Sequence, residues 1–91
     1  MQQRLEIVER LLHESRSQEA LELADELISA GKTVARALYL RGNAHLQLGH
    51  RREALNDYLA SMEIEPDGPA AEAYRHCINV LDTYCTDYYN P

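Results

Sequence analysis

The 91-residue chain contains no tryptophan and no phenylalanine, so aromatic packing falls to six tyrosines. Each tyrosine carries a hydroxyl that wants a partner or water, which places such rings at boundaries more readily than deep inside. Cysteine is scarce as well, with only Cys77 and Cys85. On one helix a separation of eight residues is about 12 Å, beyond the roughly 7 Å between Cα atoms that a disulfide tolerates. Reduced thiols and a cytoplasmic location are therefore expected. Basic residues are outnumbered, 9 against 15 acidic, for a net charge of −6. Residues 1–34 hold four basic and seven acidic groups, 35–68 four and five, and 69–91 one and three, so no basic stripe exists. That argues against nucleic acid and anionic membranes, which need clustered Lys and Arg. No apolar run is long enough to span a bilayer, and the opening MQQRLEIVERLL lacks an apolar leader core. Alternating β-branched segments are also missing, which excludes a sheet.

What remains is a chain of helix formers, Ala, Leu, Glu, Arg and Gln, interrupted at regular intervals. The interruptions are Ser15-Arg16-Ser17, Gly31, Gly49 and the cluster Pro66-Asp67-Gly68-Pro69. Between them the apolar spacing predicts helices over about 2–14, 17–30, 34–48, 51–65 and 69–84. Gly31 and Gly49 suit the left-handed residue that stops a helix. Thr33 is the expected N-cap of the third helix, and Pro69 suits the first position of the fifth. Turns this short fold successive helices back as antiparallel hairpins. Residues 85–91 are expected to fray.

Shifted by 34 residues, the chain aligns with itself, Glu19-Ala20-Leu21 falling on Glu53-Ala54-Leu55 without a gap. In residues 35–68, Leu38, Gly42, Ala54, Tyr58, Ser61 and Pro66 stand together in one frame. This segment resembles a tetratricopeptide repeat, and residues 1–34 resemble a more divergent copy in which Ala20 matches. Val8 stands where Gly42 does, Ala24 where Tyr58 does, and Lys32 where Pro66 does. Residues 69–84 resemble a capping helix. The resemblance implies one all-α domain over residues 1–84, with hairpins stacked as a short right-handed solenoid of about five helices. It assigns packing roles to Leu38, Gly42, Ala54, Tyr58, Ser61, Pro66 and Ala20. Tyr58 becomes the aromatic plug, and His45 replaces the family's usual tyrosine.

The family binds a partner segment on a concave face made by the first helix of each pair. Carried over to this chain, that face holds Gln2, Leu5, Glu9, Leu12 and His13, then Arg36, Tyr39, Asn43 and Leu46. From the last helix it takes Ala73, Tyr74, Cys77 and Val80 or Leu81. Apolar anchors beside Asn, Arg and Glu suit a peptide or helix of a protein partner. The alternative for the same Leu and Tyr side chains is simple packing against the last helix. A carboxylate clamp for chaperone tails does not carry over, because Leu5, Glu9, Leu40, Ala70 and Tyr74 occupy its positions. The competing functional class is self-association, a homodimer through the last helix and the tyrosines of TYCTDYYNP. Met1 favours a chain that stands by itself. No catalytic constellation is present: the four histidines show neither HExxH nor paired-cysteine spacing, and Cys77 has no local partner signature. Neither enzyme activity, nor a metal, nor another cofactor is expected.

Overall fold

The computed structural model describes the backbone of residues 2–84 and the side chains of residues 4–78. Five helices follow one another without a strand among the described residues: α1 (Gln2–His13), α2 (Ser17–Ser29), α3 (Val34–Gln47), α4 (Arg51–Ile64) and α5 (Pro69–Tyr84). They match the predicted helices to within a residue or two at the ends. The expected fraying of residues 85–91, and the tail tyrosines with it, lie outside the described residues.

Three of the four turns share one device. In the Schellman motif the backbone N–H two residues past the last helical turn reaches back five positions, while a left-handed residue makes the bend. Arg16 bonds to Leu11, Lys32 to Leu27 and His50 to His45 in this way, at 2.8–3.1 Å. The left-handed residues are Gly31 (φ 72°), Gly49 (φ 84°) and Ser15 (φ 62°). A glycine takes this conformation freely, whereas a residue with a Cβ is strained there. The two glycine stops were legible as left-handed residues, whereas at Ser15-Arg16-Ser17 the sequence marked the break and not the left-handed serine. Thr33 does sit at the N-cap of α3, but with φ 43° and no side-chain hydrogen bond to the helix. The left-handed backbone departs from the extended conformation that side-chain capping uses. The expectation that Thr33 caps by its hydroxyl is thereby corrected.

Helix α3 is the centre of the array and packs on α1, α2 and α4, while α5 packs on α4. The molecule measures 43 × 27 × 18 Å, and its thinnest dimension is two layers of helix. Burial follows the same plan in two clusters. One joins Leu5, Val8, Leu12, Ala20, Ala24, Leu27, Ala37, Leu40 and Ala44 across α1, α2 and α3. The other gathers Ala54, Tyr58, Ala70 and Cys77 across α4 and α5. Half-buried Tyr39 touches both. This is a stacked array with no single centre, in which each hairpin completes its neighbour's core.

Candidate partner groove

Tyr58 is the largest fully buried side chain. Its ring lies against the backbone of Gly42, where an added Cβ would sit 2.6 Å from Tyr58 Cε1. Gly42 therefore lets α3 and α4 close over the ring. Tyr39 stacks beside it with centroids 6.1 Å apart at 39°. The Tyr58 hydroxyl donates to Asn43 Oδ1. Burial, foremost, raises the phenol well above its ordinary range, with smaller contributions from Cys77, Tyr39 and Asp57. A raised acid favours folding while protonated. Its contribution is intact up to the ordinary tyrosine value of about 10 and is lost as pH climbs beyond it.

Ser61 does more than pack, since its Oγ donates to the Ala35 carbonyl at 2.7 Å and ties α4 to the first turn of α3. Ala54, Ala20 and Leu38 are buried, and Pro66 is exposed in the turn that leads to α5.

A network that the sequence did not reveal runs through the same hairpin. Arg41 makes a two-pronged bond to Asp57, at 2.8 and 2.7 Å, and a third bond to Asp25 on α2 at 2.7 Å. Asp57 is buried. Hydrogen bonding to Asp57, above all, pushes the Arg41 guanidinium further up, against an opposing effect of burial. His45 Nε2 approaches Asp57 Oδ2 at 3.7 Å. Gln47 adds a second tie between hairpins, donating to the Leu12 carbonyl at 3.0 Å and accepting from Ser17 Oγ.

The expected groove residues divide into two sets. Between α1 and α3 lies an open hollow of about 810 Å³, lined by Glu9, Leu12 and His13 on one side and Arg36, Tyr39, Asn43 and Leu46 on the other. A second hollow of about 460 Å³ continues it past Leu5, Val34 and the exposed Ile64. Arg36 and Glu9 meet at 2.8 Å across the two helices and take part in both hollows. This exposed pair contributes little stability and serves as a polar divider. Leu5 and Leu12, each 9% exposed, form the floor and belong mainly to the core. Asn43 has its oxygen committed to Tyr58, so the amide Nδ2 is what it offers to the hollow.

The remaining three go elsewhere. Ala73 and Tyr74 pack, half-buried, against the cluster around Tyr58, and Cys77 is part of that cluster. None of them lines the hollow between α1 and α3. Burial pushes the Cys77 thiol up, outweighing Arg51, and keeps it protonated at neutral pH. Gln2, Val80 and Leu81 have side chains outside the described ones. No helix among the described residues is long and apolar enough to cross a membrane.

Comparison with known proteins agrees with this architecture. The family profile of the tetratricopeptide repeat matches residues 35–67. A Bacteroides fragilis protein solved in solution by NMR superposes with a TM-score of 0.84 at 33% identity, over 94% of this chain and 88% of the other. No curated protein matches the chain.

Proposed function

This chain belongs to the tetratricopeptide repeat family, and from that premise we propose that it is a scaffold that holds a peptide segment of a protein partner between α1 and α3. Repeats of this family generally mediate protein–protein interaction, and the family is typically a non-enzymatic scaffold. One observation carries the finer reading: Asn43 lines the hollow beside Tyr39 and Leu46, with its Oδ1 already held by Tyr58 and its amide N–H left to donate. An amide donor beside half-buried apolar groups can take a backbone carbonyl of a bound segment while an apolar side chain covers the ring and the leucine. Glu9 and Arg36 would set the direction of the segment through their charges.

The structure also selects the variants for the test. Asn43→Ala would strip the buried Tyr58 hydroxyl of its acceptor and confuse folding with binding. Arg10 and Arg36 are exposed on the rim and can be reversed without that penalty. Peptides selected from a random display library should shift amide resonances of α1 and α3. Arg10→Glu/Arg36→Glu should weaken them by about tenfold, at 1.4 kcal/mol for each factor of ten. Shifts confined to the outer faces of α2 or α4, or affinity unchanged in the double variant, would overturn the proposal.

A further inference from the structure

His45 and His50 are five residues apart, a spacing that matches no familiar metal motif. The Schellman turn at Gly49 nevertheless folds one onto the other, because His50 N–H bonds to the His45 carbonyl at 2.8 Å. The rings lie 5.5 Å apart, and their Nδ1 atoms are 3.3 Å apart. The other nitrogen of His45 faces Asp57 at 3.7 Å, and Asp57 is fixed in turn by both prongs of Arg41. That carboxylate stands just beyond hydrogen-bond reach, and a small ring rotation lets it accept the Nε2 proton and leaves the Nδ1 lone pair free. In the metal-free chain the Nδ1–H of His50 can fill that position with a hydrogen bond.

We propose that the α3–α4 turn is a chelating site for a divalent transition ion, best matched by Zn²⁺. His45 Nδ1 and His50 Nδ1 are the ligands, and Asp57 is the outer carboxylate that orients His45. Two Zn–N bonds of about 2.0–2.1 Å at a tetrahedral angle place their nitrogens about 3.3–3.4 Å apart. The observed separation is that bite. Binding requires each ring to tilt its lone pair toward a common point and His50 to carry its proton on Nε2. Both movements are open to it, since His50 is exposed and His45 keeps a 14% exposed edge. No group of three His, Cys, Asp or Glu side chains suited to a metal occurs among the described residues. The site is therefore open, with water or a donor from a partner in the other positions, unlike a closed structural zinc centre. Arg51 and Arg52 begin α4 directly after the turn, and their charge opposes the cation. Affinity accordingly stays moderate.

The test is calorimetric titration of the untagged full chain with ZnCl₂ in a non-coordinating buffer at about pH 7.5. One saturable site is expected, weakened by about tenfold or more in His50→Ala and unchanged in His76→Ala, an exposed histidine on α5. His50 is exposed at a helix end, and circular dichroism verifies that its variant folds. Imidazole ¹⁵N spectra supply an independent readout, with His45 carrying its proton on Nε2 before and after zinc is added. Absence of saturation up to millimolar zinc would overturn the proposal. So would undiminished affinity in His50→Ala, which would direct the ion to thiols or carboxylates elsewhere.

Discussion

The two hairpins solve one packing problem with opposite assignments. Shifted by 34 residues, Gly42 and Tyr58 of the second fall on Val8 and Ala24 of the first. In the second hairpin the bulk comes from α4 and the gap from α3. In the first, the larger member is Val8 on α1, fully buried, against Ala24 on α2. Arg41 and Asp57 likewise fall on Ile7 and Leu23, so a half-buried ion pair in one hairpin corresponds to two aliphatic residues in the other, of which Ile7 is exposed. Ser61, which bonds to a carbonyl, falls on Leu27, which is simply buried. The first hairpin uses shape and burial, whereas the second adds directional polar bonds to them. The family profile matches residues 35–67, where those polar and aromatic positions are, while the structural likeness extends over 94% of the chain. A repeat can thus shed its signature residues and keep its fold, provided that volume lost on one helix returns on the other.

The contrast is sharpest at the Gly42–Tyr58 contact. Placing the first hairpin's valine at position 42 against an unchanged Tyr58 should destabilise by about 3 kcal/mol or more through overpacking. Tyr58→Ala alone should cost about 4 kcal/mol through the cavity left behind. Gly42→Val/Tyr58→Ala, which installs the complete pair of the other hairpin, should recover at least about 1 kcal/mol of the summed loss. Urea denaturation of all four proteins closes the cycle, and strict additivity would show that the two positions are not exchangeable partners. Next in size is the ion pair. Arg41→Ile strands the buried Asp57 carboxylate and should lose about 3 kcal/mol, while Arg41→Ile/Asp57→Leu should fall within about 1 kcal/mol of the parent. Equal losses in the single and double variants would mean that the second hairpin depends on the charges themselves. The smallest effect is at the turns. Ser15→Gly relieves a left-handed serine and should stabilise by about 0.5–1 kcal/mol, with Gly49→Ser costing a similar amount. Melting temperatures read both, and a neutral Ser15→Gly would show that φ 62° costs little at this turn.

The sequence disclosed whatever depends on neighbours along the chain or on a fixed repeat frame. The five helices, the stops at Gly31 and Gly49, and Pro69 at the start of α5 all belong there. It hid what depends on hairpin register. Arg41 and Asp57 are 16 residues apart on separate helices, and each alone resembles a solvated charge. Ser15 is ordinary until the chain must bend there. Of the expected groove, Glu9, Leu12 and His13 of α1 and Arg36, Tyr39, Asn43 and Leu46 of α3 line one hollow, because the two helices pack side by side, while Leu5 lines the hollow that continues it. Tyr74 and Cys77 instead join the cluster that includes Tyr58, since α5 packs mainly on α4. Asn43 was read as a contact residue, and half of its amide holds the tyrosine plug.

Arg41 binds one carboxylate within its own hairpin and another in the preceding one. In a linear array the stability of each unit and the coupling between units are separate quantities, and their ratio decides whether the array melts stepwise or all at once. One guanidinium contributes to both. Loosening its hold on the exposed Asp25 would reduce only the coupling, and loosening its hold on Asp57 would reduce only the unit. The side chain that reads in the sequence as one more surface arginine is therefore where the cooperativity of this short array can be tuned.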